Sequence, residues 1–175
     1  MASTEFAREE RKRRSKEPEG MEFDDPIDLL KSQHREVEQL FQQIEDTGSN
    51  AFKTKRKLFE TLADQILLHA EIEEKLFYPR IKEVDKDMAL EAVEEHAAVK
   101  DLIKKMRKLE DRDESFNAKV KFLKELIQHH VEEEEEEIFP MWYDEMDEET
   151  QEDAGTEILE YARKAMEKSK NQRGK

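Results

Sequence analysis

From Asp25 onward, apolar residues recur at every third or fourth position, the period of a helix that turns one face to a core. Ile27, Leu30, His34, Val37 and Phe41 share a face of a helix predicted over 26–47, with Asp25 as its N-cap and Pro26 at its first position. The Thr-Gly-Ser-Asn run at 47–50 breaks it. A second helix, over about 52–78, puts Phe59, Leu62, Ile66, His69, Ile72, Glu73 and Leu76 inward and is expected to stop before Pro79. A third opens near Asp85 or Asp87 and carries Ala89, Ala92, Val93, His96, Val99 and Ile103. A fourth, over about 115–139, presents Leu123, Leu126, Ile127, His130, Glu134 and Ile138, and a Met-Trp-Tyr turn is expected after Pro140. A fifth, over about 147–169, bears Ile158, Leu159, Tyr161, Ala162 and Met166.

Short connections make successive helices antiparallel neighbours. The fold class is therefore all-α: an up-down-up-down four-helix bundle over 23–146, with an additional C-terminal helix and tail over 147–175. Residues 1–22 lack apolar periodicity and read as a disordered tail. Their basic cluster, Arg11 to Lys16, is nearly cancelled by Glu5, Glu9, Glu10, Glu17 and Glu19.

The helices carry a pattern that occurs twice. A lone His is followed three residues on by Val, and the next helix brings His-x-x-x-Glu running to an apolar pair and proline: His34 with His69, Glu73 and Pro79, then His96 with His130, Glu134 and Pro140. The offsets between copies are 62 for the lone His and 61 for both the paired His and the Glu. In the antiparallel topology all four histidines lie roughly 15 Å from the same end of the bundle, at 1.5 Å per residue. On a helix, i and i+4 share a face, so His69/Glu73 and His130/Glu134 each present an imidazole and a carboxylate to one point. Each half thus supplies two imidazoles and one carboxylate, and the two carboxylates are placed to bridge two metals. A metal-free core would instead bury several polar rings and two carboxylates without a cation.

His129 and Glu133 have the same spacing as His130 and Glu134. The face of His130 carries Leu123, Leu126 and Ile127, whereas that of His129 carries Phe122 and Glu125, so the register favours His130. Of the six-glutamate run 132–137, Glu134 is the inward member and the rest are expected to face solvent. Tyr78 and Tyr143 read as amphipathic residues at helix ends, with hydrogen-bond donors behind the ligands or radical relays as the alternative.

Composition narrows the chemistry. The chain has no cysteine, which leaves His and carboxylate as metal ligands and suits iron, manganese or zinc. Its net charge of -15 argues against nucleic acid and anionic membrane as partners. No apolar stretch approaches the length of a membrane span, and no signal-peptide core opens the chain, so a cytoplasmic location is expected.

The segments SQHREVEQLF, LLHAEIEEKLFYPRI, EEHAAV and HHVEEEEEEIFPMW together resemble the hemerythrin-like, or HHE cation-binding, domain over about residues 26 to 142. That resemblance implies a four-helix bundle around a non-haem di-iron centre, two iron ions with an oxo or hydroxo bridge among its forms. It implies His34, His69, Glu73, His96, His130 and Glu134 as ligands, with Glu73 and Glu134 bridging, and dioxygen or peroxide as the small ligand. The chain departs from the oxygen-carrying invertebrate hemerythrins twice: Lys100 stands where they have a second histidine, and Glu135 where they have an aspartate. A missing imidazole leaves more room for water, peroxide or a second carboxylate, which favours oxidation, peroxide turnover or signalling over transport; the leading expectation is a protein that binds or senses dioxygen or reactive oxygen species. A di-iron oxidase or peroxidase linked to iron handling, and a zinc-bound or metal-free interaction module, are the alternatives. The sequence leaves enzymatic activity and oligomeric state open.

Overall fold

The structure, a computed structural model, describes residues 23–48, 50–110 and 112–173. The tail expected over 1–22, with its basic cluster, lies outside the described residues. Among those described, every regular element is helical. The first rod is α1 (Pro26–Asp46). The second joins α2 (Phe52–Ile72), a π-helical turn π1 (Glu73–Phe77) and α3 (Tyr78–Val84). The third is α4 (Lys86–Met106), and the fourth joins α5 (Phe116–Glu133), π2 (Glu134–Ile138) and α6 (Phe139–Asp144). A fifth, α7 (Glu148–Arg173), packs against α1, α2 and π1.

The caps sit where the side chains dictate. Asp25 accepts the Ile27 N–H at 2.8 Å and starts α1. Asp85 accepts the N–H groups of Asp87 and Met88, both at 3.0 Å, and starts α4. At the other end of α4, Arg56 donates to the Met106 and Leu109 carbonyls at 3.0 and 2.6 Å, while its guanidinium lies 5.2 Å from the Phe116 ring centre. The orphan carbonyls of a helix end are thereby satisfied from a neighbouring rod.

The second and fourth rods do not stop at their prolines. Proline in an α-helix lacks the N–H for its turn and clashes with the carbonyl four residues back. Each rod widens one turn just ahead of it. The Tyr78 N–H bonds to the Glu73 carbonyl and the Phe139 N–H to the Glu134 carbonyl, an i→i+5 pattern in place of i→i+4. Pro79 and Pro140 then fall in the first turn of α3 and α6, where a missing N–H costs nothing. The turn expected after Pro140 is accordingly helical, and Trp142 is buried within it.

The core comes in two apolar clusters. One gathers Val37, Phe41, Phe59, Leu62, Ile66, Val99, Ile103, Leu123 and Ile127. The other gathers Ile27, Leu30, Ile72, Phe77, Ile81, Phe139 and Trp142 with Ala154, Ile158 and Ala162 of α7. Between them lies a layer of buried His and Glu.

Because Ile158 is fully buried in the second cluster, Ile158→Ala is expected to destabilise the fold by about 2–5 kcal/mol, read by chemical denaturation. A loss below about 0.5 kcal/mol, the range of surface changes, would mean that α7 is not docked in solution.

Candidate metal centre

The helical period brings His34 from α1, His69 from α2, His96 from α4 and His130 from α5 into the polar layer, with Glu73 and Glu134 opening the two π turns. All six are buried, and both carboxylates are 0% exposed. The rings meet in pairs through Nε2: His34 to His69 at 3.2 Å and His96 to His130 at 2.9 Å. Each carboxylate spans both pairs. Glu73 Oε2 lies 3.0 Å from His69 Nε2 and 3.4 Å from His96 Nε2, and Glu134 Oε2 lies 3.2 Å from His34 Nε2 and 3.5 Å from His130 Nε2.

The outward nitrogens explain why Nε2 points in. His34 Nδ1 meets Glu135 at 2.9 Å, His96 Nδ1 meets Glu74 at 3.0 Å, His130 Nδ1 meets Glu95 at 2.6 Å and His69 Nδ1 meets the Gln33 amide oxygen at 2.8 Å. Each of these oxygens can only accept, so Nδ1 carries the hydrogen. In the neutral ring the lone pair is then on Nε2. Four lone pairs and two carboxylates consequently face one another in a dry volume. Glu73 Oε1 and Glu134 Oε2 are buried without a hydrogen-bond partner. Such a donor set fits a cation, since only positive charge relieves it.

In the metal-free chain protons supply that charge. Burial alone would lower His69, yet Glu73 and Glu134 outweigh it and raise His69 to about 10. His130 is raised too: burial opposes the shift, and Glu134, Glu95 and Glu73 overcome it. Burial and the Glu134 carboxylate push Glu73 up, but His69 and His96 hold it below the usual carboxylate range. Glu134 lies well below that range, its burial outweighed by His130, His34 and His69.

Tyr78 is a donor within the polar layer, the alternative to the helix-end reading. It is 2% exposed, its hydroxyl donates to Glu134 Oε1 at 2.7 Å, and it lies 3.4 Å from His96 Nε2 and 3.3 Å from His130 Nε2. Burial and the two glutamates push its pKa well above 10, which keeps it a donor. In an unbroken α-helix five residues turn about 500°, leaving position 78 about 140° away from position 73. The wider π1 turn swings Tyr78 back over Glu73. A hydroxyl thus stands beside His96 and His130, while Lys100 reaches outward to Glu74 at 2.5 Å.

Two further outcomes concern the fourth rod. His129 is exposed and faces Glu95 and Glu133 at 3.5 and 3.4 Å, outside the buried layer. Glu135 does not simply face solvent as expected, because it holds His34 Nδ1. The outer partners escaped sequence reasoning since each acts across to the next rod, although Gln33, Glu74, Glu95 and Glu135 all directly adjoin an inward His or Glu. Tyr143 is exposed and donates to Asp25 at 3.0 Å.

A cleft of about 500 Å³ runs between α1 and the fourth rod and reaches His34. Val37, Phe41, Ile127 and Val131 line it alongside Glu38, Glu132, Glu135 and Glu136.

Comparison with known proteins follows the same lines. The hemerythrin HHE cation binding domain matches residues 25–142. A crystal structure of a hemerythrin HHE cation binding domain-containing protein from Mycobacterium kansasii superposes with a TM-score of 0.71 at 20% identity, covering 82% of this chain and 88% of that one. At that identity the likeness is one of fold. No curated protein sequence matches the chain.

Since protons hold the place of a cation, metal uptake must displace them. At pH 8, below the His69 value of about 10, zinc added to metal-free protein is expected to release at least one proton per chain, read with an indicator dye in weak buffer. Affinity then falls as pH falls. Uptake without proton release would contradict the charge balance described.

Proposed function

The chain belongs to the hemerythrin HHE cation-binding domain family, and on that basis we propose that it holds two iron ions and binds or senses dioxygen or reactive oxygen species. The observation that carries the reading is the convergence of four Nε2 atoms on two buried carboxylates, each of which spans both histidine pairs. His34 and His69 would hold one ion and His96 and His130 the other, with Glu73 and Glu134 bridging. Among the described residues the same atoms fall into two groups able to hold an ion, one of His34, His69, Glu73 and Glu134, the other of Glu73, His96 and His130. Imidazole and carboxylate without thiolate suit non-haem iron.

A pair of iron ions would supply electrons to dioxygen or peroxide bound as a small ligand. The protein's part is positional. Outer acceptors lock the four rings in one tautomer and orientation. Tyr78 steadies Glu134 through its hydroxyl. Apolar clusters above and below keep bulk water from the layer. No helix among the described residues is long and apolar enough to cross a membrane.

Protein produced with ample iron is expected to carry about two irons per chain, and anaerobic reduction followed by air should change its visible absorption. The His69→Ala, His130→Ala pair should reduce bound iron at least tenfold while helicity is retained, in line with the loss of one imidazole from each pair. Protein that folds in iron-rich medium and carries no metal would sink the reading.

A further inference from the structure

The duplication that builds the centre relates the halves residue by residue: His34 to His96, His69 to His130, Glu73 to Glu134, and the outer acceptors Glu74 to Glu135. Applying the same offsets of 61 and 62 to the neighbours of the centre exposes several pairs that do not match, Arg35 with Ala97 and Phe77 with Ile138 among them, and three of these bear on the polar layer. Gln33 corresponds to Glu95, Phe139 to Tyr78 and Glu38 to Lys100.

At His96 and His130, Tyr78 brings an oxygen within 3.4 Å of both inward nitrogens, and Glu95 backs His130 at 2.6 Å. Lys100 ties the outer acceptor Glu74 to α4. At His34 and His69, the residue equivalent to Tyr78 is Phe139, whose ring stacks on His34 at 5.7 Å and offers no donor. His69 leans on a neutral amide, Gln33. Where the other half has its lysine, Glu38 stands beside Glu135 in the cleft that reaches His34.

Glu95 and Tyr78 favour the His96–His130 half, set against a group of four inward donors, His34, His69, Glu73 and Glu134, on the other. A carboxylate behind an imidazole raises the ring's basicity and its hold on a metal, and losing such a partner costs about 10–100-fold in affinity. An amide gives less. Lys100 takes up part of the Glu74 charge, so the advantage of the His96–His130 half rests on Glu95 and Tyr78. The cleft at the other half carries Glu38, Glu132, Glu135 and Glu136 against Arg35 and a Lys124 already paired with Glu45, a balance that draws cations in.

We propose that the two halves fill in order and exchange unequally: a divalent cation settles first and firmly at His96 and His130, and a second enters through the cleft to a weaker, exchangeable seat at His34 and His69. Gln33 and Phe139 are positioning residues that keep the second seat weak, and Glu38 keeps its door open. The inference rests on the two-metal reading above.

The test is a zinc titration of the metal-free full chain against a competing chelating dye, followed by release of the bound ions to excess chelator. Two binding steps at least tenfold apart are expected, with one ion released fast and one slowly. Gln33→Glu should tighten the weak step about tenfold and leave the strong one in place, whereas Tyr78→Phe should weaken the strong step more than the weak one. Glu38→Lys, which reverses a charge at the cleft where the other half carries Lys100, should slow the fast release at least several-fold. Helicity and thermal unfolding of each variant confirm that it folds. Two equal steps in the unaltered chain, or a Gln33→Glu change that moves neither step or both alike, would overturn the inference while leaving the two-metal reading intact. Absence of zinc binding in either step would instead overturn that reading itself.

Discussion

Four imidazole lone pairs and two carboxylates directed into one dry volume form an arrangement that cannot rest on hydrogen bonds alone. In water such groups would turn to solvent, but in the middle of a helical bundle they have only one another. Much of the surrounding structure answers to this constraint. Carboxylates and an amide outside the rings hold the Nδ1 hydrogens so that Nε2 faces in. Apolar clusters on both sides fix the rods at a common depth. The layer therefore trades local stability for an appetite for positive charge, which protons satisfy when nothing else does.

How much of this the sequence reveals depends on which geometry governs each residue. His34, His69, His96 and His130 were legible because the 3.6-residue period alone decides which way they face, and the apolar residues sharing that face show the period. His130 could be told from His129 by the same means. Tyr78 could not, because its direction is set by a turn that departs from the period. The relevant clue was present in Pro79 and Pro140, read as helix ends although each lies in the first turn of a continuing helix. A proline ten residues after an inward histidine can mark a widened turn as well as a stop. Outer partners such as Glu95 and Glu74 were invisible for another reason, since their roles depend on which rods lie side by side.

Duplication explains the economy of the site, and its decay explains the asymmetry. The two π turns, the two His-x-x-x-Glu pairs and the two prolines still correspond, as do Glu74 and Glu135 on their respective histidines. Against that shared frame a few substitutions have large effects, because each stands within one contact of a buried polar group. Replacing a phenyl by a phenol at one of two related positions changes no packing volume to speak of, yet it places a hydroxyl among His96, His130 and the two glutamates. A metal centre can thus lose its twofold equivalence while the bundle keeps its own.

The position of α7 adds an ordering in time. This last helix packs on π1, the turn that carries Glu73 and swings Tyr78 into the buried layer. Its Ile158 is buried in the cluster with Phe77 and Ile81, on either side of Tyr78. The helix begins 18 residues after His130, so it leaves the ribosome after all four of these histidines. Until then the widened turn lacks one of its walls, and the four rods have their ligands but not their final shape. The wall behind the widened turn is therefore supplied by a helix made after every ligand that it helps to place.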